Sequence, residues 1–340
     1  TFDEKTGIFH LKNAYTSYVL QLVRNKYLLH RYWGRPLRAF RDSTPFQAID
    51  RAFSPQPAAW PNERTFSLDV LPQEYPAYGH GDYRLPAYAV RLSNGTTVTE
   101  LAYSSYKIKA GKPALRGLPA AYAREDEAET LIISLNDTKG VLGVELSYTI
   151  FADQPVIARS ARIINTGSQP VELLSAASFA MDFADHDFDR LSLYGGHAAE
   201  RSLERVPLMH GIQETASRRG ASSHQQSPFL ALARKEATET SGDVYGFSLV
   251  WSGEFSFRTE VEQFGSTRVL GGINPTEFRW HLKAGESFQT PEALMTYSPD
   301  GFNGMSQAFH HIVREHIVRG RHQHALRPIL VNNWEDTYFD

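Results

Sequence analysis

The chain is 340 residues long, 41% hydrophobic and 21% charged, with a formal net charge of -3 and no cysteine. That size suits one large β-rich domain or two domains, and the charge offers no basic field to hold nucleic acid or an anionic membrane. Without cysteine, disulfides and thiolate metal sites are excluded, and nothing marks an oxidising compartment.

Thr1 to His10 lack the apolar core of a signal peptide. No apolar run approaches the roughly 20 residues of a membrane span, so a cytoplasmic location is the default expectation. Up to about residue 300 the chain reads as strand after strand. Phe66, Leu68 and Val70 alternate with Ser67 and Asp69, which predicts a half-buried strand. Val144, Leu146, Tyr148 and Ile150 alternate with Glu145, Ser147 and Thr149 in the same way. The runs 156–164 and 171–176 flank a turn signal at Asn165-Thr-Gly-Ser168. Residues 244–261 hold two strands broken at Ser252-Gly253, the pattern of a hairpin. So many short strands predict a mainly β fold built as two large stacked antiparallel sheets.

The texture changes near residue 300. Met305, Phe309, Ile312, Val313 and Ile317 recur at helical spacing. Asp300 or Asn303 can cap this helix, Arg314 and Arg319 suit its C-terminal end, and Gly320 is a natural stop. A basic, His-rich connector follows, and then Pro328, Ile329, Leu330 and Val331 read as a buried strand of a parallel barrel. The expected organisation is a β-sandwich over 1–300, a helix and connector over 301–327, and the start of a barrel over 328–340.

Complete catalytic signatures are lacking: there is no Gly-x-Ser-x-Gly, no phosphate-binding Gly-Lys-Ser/Thr loop and no His-Glu-x-x-His. Asp185, Asp187 and Asp189 alternate as in a calcium loop. Arg190 and Gly196, however, stand where glycine and glutamate are needed, so a solvated acidic loop is expected. His310, His311, His316, His322 and His324 read as surface histidines around the connector, so no metal and no cofactor is expected. The polar run Arg218 to Gln226, with His224, suits either a sugar site or a loop that holds itself together. The segment Val331 to Asp340 ends an apolar run in amides, carboxylates and the indole of Trp334. At the mouth of a barrel strand that is active-site chemistry, because an indole offers a flat apolar face and the polar groups suit hydroxyls. The bland reading is a core tryptophan beside helix-starting acids.

The segment 332–340 closely resembles the Asn-Asn-Trp-Glu-x-Thr-Tyr-Phe-Asp signature of glycoside hydrolase family 36 α-galactosidases. Asp50-Arg-Ala-Phe-Ser-Pro55, Arg64-Thr-Phe-Ser-Leu-Asp69 and Gln73-Glu-Tyr-Pro-Ala-Tyr-Gly79 match as well. So do Arg218 to Gln226, Gly272-Ile-Asn-Pro275, Gly285-Glu-Ser-Phe-Gln-Thr-Pro291 and Gly304-Met-Ser306. The resemblance implies a β-supersandwich, a linker helix and then a (β/α)8 barrel. It implies retaining hydrolysis of α-galactoside oligosaccharides such as melibiose and raffinose by a homo-oligomer, a tetramer in relatives. The family's catalytic aspartates lie on later barrel strands, so none is expected within these 340 residues, and the chain alone is expected to be inactive. Trp334 matches the tryptophan that packs on galactose. Asp50 matches an aspartate that in tetrameric relatives reaches a neighbouring subunit's active site, and Arg64 an arginine of the same rim. In Gly195-Gly-His-Ala-Ala-Glu-Arg201, His197 stands where relatives carry a tryptophan that forms another wall. Asp336 stands where alanine is usual. A non-catalytic sugar-binding or oligomerising sandwich is the competing reading, and a sister family-36 activity such as α-N-acetylgalactosaminidase is a third.

Overall fold

The computed structural model describes residues 1–51 and 55–338. Ala52, Phe53 and Ser54 of the Asp50–Pro55 motif, and Phe339 and Asp340 of the C-terminal signature, lie outside the described residues. In chain order the strands are β1 (Phe2–Asp3), β2 (Ile8–Lys12), β3 (Ser17–Val23), β4 (Tyr27–Gly34), β5 (Tyr88–Arg91), β6 (Leu101–Ala110) and β7 (Ala128–Asp137). There follow β8 (Leu142–Phe151), β9 (Val156–Asn165), β10 (Val171–Phe183), β11 (Phe188–Gly196), β12 (Ala199–Pro207), β13 (Gly211–Ser217) and β14 (Phe229–Arg234). The last are β15 (Val244–Val250), β16 (Phe255–Val261), β17 (Thr267–Ile273), β18 (Trp280–Leu282), β19 (Ser287–Gln289) and β20 (Glu292–Ser298), before helices α1 (Gly301–His316) and α2 (Trp334–Thr337).

Mainly β architecture is what the alternating sequence predicts, and these strands pair antiparallel. The hydrogen-bonded units are three rather than two. β1 to β4 form a meander. A six-stranded sheet runs β13-β16-β17-β10-β18, with β5 also on β10. A ten-stranded sheet runs β12-β11-β14-β15-β20-β9-β8-β7-β6, with β19 on β9. One core cluster joins all three, so the two smaller sheets together face the large one. Phe179 of β10 stacks on Phe247 of β15 with centroids 5.2 Å apart and planes 2° apart. From the meander, Trp33 meets Phe247 at 5.7 Å and Tyr245 at 5.1 Å. Aromatic faces from three sheets thus meet in one layer, where large apolar area leaves water.

β8 shows why alternation sorts residues. Val144, Leu146 and Tyr148 are buried against the core, while Glu145 and Ser147 are half-exposed. Helix α1 covers part of the ten-stranded sheet's other face. Ala308 and Ile312 pack on Ala158 and Leu294, and Met305 packs on Val244 and Ala231. The helix approaches so closely over Gly246 that a Cβ there would stand 2.7 Å from both Met305 Sδ and Phe309 Cε2. It stops at His316, a turn short of Gly320, where the Tyr122 N–H donates to the His316 carbonyl (2.8 Å) and terminates the ladder from outside.

The expected two stacked layers are present, and one of them is made of two hydrogen-bonded sheets, because among the described residues β1 to β4 share no ladder with the six-stranded sheet. Three local expectations are corrected. Residues 66–70 form turns, not a strand. Their alternation does bury Leu68 and Val70, but the buried Arg84 guanidinium donates to the carbonyls of Leu68 and Leu71 (2.9 Å each), the latter just beyond this stretch. The reversal at Ser252-Gly253 is no hairpin. It carries the chain from β15 in the large sheet to β16 in the six-stranded one, as the Asn165–Ser168 turn does between β9 and β10. Finally, residues 328–331 are irregular, with Ile329 96% and Leu330 89% exposed. A central parallel strand depends on ladders to both sides, and among the described residues this segment pairs with none.

Candidate functional site

The residues singled out by sequence fall into three places. Asp50 ends a long irregular stretch after β4, and Arg64 lies in the turns that follow Trp60. Their side chains form an ion pair at 2.8 Å while staying 62% and 56% exposed. Such a pair contributes little to stability. Being exposed, the carboxylate keeps further capacity to accept hydrogen bonds and the guanidinium further capacity to donate them.

His197 stands exposed at the two-residue tip between β11 and β12, followed by Ala198 at φ +60. The tip is close-packed, since a Cβ on Gly195 would fall 2.3 Å from the Ala199 carbonyl oxygen. Beside it runs the polar segment 218–226. Tyr194 bridges to Gln226, and the Gly195 N–H donates to the Gln225 carbonyl at 3.2 Å. Arg219 Nε donates to Gln225 Oε1 at 2.7 Å, so this loop holds itself together and also shores up the hairpin tip. The Glu200 carboxyl is held below its ordinary range by backbone N–H donors, its own and that of Ala198, with His197 and His224 adding positive charge. Among the described residues, no hydrogen bond or ion pair joins this patch to the Asp50–Arg64 pair. Trp334 opens α2, is 48% exposed, and meets Tyr338 at 6.0 Å. Asp336 lies exposed on the same helix.

Asp185, Asp187 and Asp189 each take a cation: Arg234 (2.6 Å), Lys235 (2.7 Å) and Arg205 (2.7 Å). Among the described residues, no cluster of three or more potential ligands could hold a metal ion. Of the late histidines, His316 is not a surface residue. It is 4% exposed, with Nδ1 2.8 Å from the Tyr122 carbonyl oxygen.

Sequence reading missed two charge networks in the core. Glu74 accepts from Tyr18 (2.7 Å) and Tyr148 (3.0 Å), pairs with Arg159 at 3.0 Å, and lies 3.0 Å from His30 Nδ1. Burial alone would raise its carboxyl; Arg159 and these hydrogen bonds hold it below the usual range. Arg268 pairs with Asp182 (2.7 Å) and Asp82 (2.8 Å), and Arg84 pairs with Asp82 (2.9 Å). All these groups are buried; the Glu74 set ties the β1–β4 meander to the ten-stranded sheet, and the Arg268 set ties the six-stranded sheet to the loop at residues 82–84. A cavity of about 390 Å³ lies above the second network, lined by Trp33, Phe46, Arg84, Asp182, Arg234 and Tyr245. Among its charged walls Arg84 faces Asp182 at 3.3 Å and Arg234 pairs with Asp185, while Arg84 Nη1 itself makes no hydrogen bond.

The profile of the glycosyl hydrolase family 36 N-terminal domain matches residues 26–283. The chain belongs to glycosyl hydrolase family 36. The melibiase family model matches residues 287–340. Alpha-galactosidase AgaA of Geobacillus stearothermophilus is 53% identical over all 340 residues of this chain, which span 46% of that relative. Crystal structures of AgaA variants in complex with raffinose and with stachyose superpose with a TM-score of 0.94 at 53% identity, over 98% of this chain and 46% of theirs. The chain therefore spans about half the length of the relatives it matches. No described helix is long and apolar enough to cross a membrane.

Proposed function

We propose that this chain is the N-terminal part of a retaining α-galactosidase that removes terminal galactose from raffinose-type oligosaccharides. The observation that carries the reading is the exposed Asp50–Arg64 pair, at the positions that family resemblance gives to the pocket rim. AgaA, bound to raffinose and to stachyose in its crystal structures, supports the substrate class. The sandwich supplies walls and subunit contacts. The barrel to which residues 328–340 lead supplies two aspartates, one nucleophile and one acid/base, at the roughly 5–5.5 Å spacing of retaining glycosidases. No metal or cofactor takes part in that chemistry.

In this reading the enzyme works as a tetramer. Asp50 then reaches the active site of a neighbouring subunit, where its carboxylate accepts from substrate hydroxyls. Trp334 and His197 form further walls. A hydrogen bond to a charged group contributes about 1.5–3 kcal/mol. Asp50→Ala in the full-length protein is therefore expected to raise the raffinose KM by about tenfold or more. Both Asp50 and its partner are exposed, so the melting temperature is expected to stay put. Steady-state kinetics on raffinose and melibiose decide the matter, and an unchanged KM on both would remove Asp50 from the rim.

A further inference from the structure

We infer that Arg51 and Asp69 are positioning residues that fix how Asp50 is presented, an inference that rests on the rim reading above. Asp50 lies in an irregular stretch, outside any strand or helix. No backbone ladder locates it, yet a side chain that meets substrate has to be held to about 0.5 Å. The next residue supplies the hold. Arg51 Nη2 pairs with Asp69 Oδ2, and its guanidinium carbon rests 4.7 Å from the Phe264 ring centroid. Arg51 Nε is buried with no hydrogen-bond partner, while the side chain as a whole stays 25% exposed, so one edge of the guanidinium is packed into this seat.

Asp69 is itself fixed from several sides. Ser67 Oγ lies 2.5 Å from Asp69 Oδ1 and 3.0 Å from the Pro55 carbonyl oxygen, tying the far side of the same loop to the same support. Pro55 in turn abuts Gly81, where φ is +101 and a Cβ would stand 2.6 Å from the Pro55 oxygen. Arg84 holds the carbonyls of Leu68, just before Asp69, and Leu71, two residues after it, and Arg84 belongs to the buried Arg268 network. Arg64, the partner of Asp50, stands on the same 60–71 stretch. A continuous set of contacts thus runs from β17 in the core, through Arg84 and Asp69, to Arg51 and the rim. Arg51 acts through Asp50 and not on substrate.

The test is a double-mutant cycle in the full-length protein with raffinose: the parent, Asp50→Ala, Arg51→Met and the double variant. Arg51→Met is expected to raise KM about three- to tenfold, because a small misplacement of a binding group weakens substrate capture. Its kcat should stay within about a factor of two. In the Asp50→Ala background the same change is expected to shift KM by less than about twofold, since residues acting as a unit are not additive. Arg51→Lys, which keeps the charge but not the flat fork, should recover part of the loss. Asp69→Asn should reproduce Arg51→Met, and replaces it in the cycle if the methionine variant does not fold. Equal KM rises in both backgrounds, or no rise in the first, would overturn the inference. If Asp50→Ala itself leaves KM unchanged, the rim reading falls and takes the inference with it. If Asp50→Ala raises KM and Arg51→Met does not, the inference alone falls.

Discussion

Replacing Arg268 by methionine is expected to destabilise the sandwich by about 3–5 kcal/mol, the cost of leaving buried charge uncompensated. The Arg268 side chain is 0% exposed. It donates to Asp182 (2.7 and 2.8 Å), to Asp82 (2.8 Å) and to the Leu85 carbonyl (3.0 Å). Without it, two buried carboxylates share Arg84 alone. Denaturant unfolding of the parent and the variant at neutral pH measures this as a lower midpoint at unchanged slope. A loss below about 1 kcal/mol would contradict the role given to the network, since that is the scale of an ordinary surface change. Adding Asp182→Asn is expected to return part of the loss, because it removes one stranded charge.

The same network sets an acid limit. Burial alone would raise the Asp82 carboxyl, but Arg268 and Arg84 outweigh burial and hold it at about 2, below its ordinary 3.8. The group is therefore more acidic folded than unfolded. Its contribution to stability is complete above pH 3.8 and fades as pH falls through the window toward 2. With Arg268 gone, one of the two opposing cations is lost and the folded-state carboxyl moves back up toward its unfolded value, so the part of the stability that acid removes through Asp82 should shrink.

The sequence carried the fold class because period-2 alternation reports burial directly. Val144, Leu146 and Tyr148 point inward as their spacing requires. Sheet membership was not legible. A Ser-Gly or Asn-x-Gly signal announces a reversal of the chain, and it is silent on whether the next strand pairs with the last or crosses to the opposite layer, as β15 to β16 and β9 to β10 do. The apolar run 328–331 looked like a strand because burial and strand formation usually go together. Among the described residues it pairs with no strand, and α2 follows it. The buried networks were out of reach for another reason. Arg268 meets Asp182 and Asp82 across 86 and 186 residues, and no local pattern marks such partners. Asp50, Arg64 and His197 were singled out through family resemblance, and Trp334 first by the chemistry of an indole among amides and carboxylates at the end of an apolar run. Only the structure shows that the first two pair, and that His197 sits apart on a tip braced by residues 219–226.

Trp334→Ala in the full-length protein is expected to lower kcat/KM on melibiose and raffinose by about 10- to 100-fold, the range for truncating an aromatic anchor in a binding site. Trp334 is 48% exposed and belongs to none of the buried core clusters, so the change should leave the melting temperature of the sandwich near that of the parent. That separation matters: a core tryptophan would lose stability first and activity only as a consequence. A kcat/KM within about twofold of the parent would take Trp334 out of the pocket.

We propose that this chain builds pocket walls and that the bond-breaking acids lie elsewhere in the enzyme. Hydrolysis of a nitrophenyl α-galactoside tests it most directly, with purified residues 1–340 assayed beside the full-length protein. Turnover is expected from the full-length protein, with α-galactose as the first product anomer, and none above background from residues 1–340. Turnover by residues 1–340 alone, or none by the full-length protein, would contradict it.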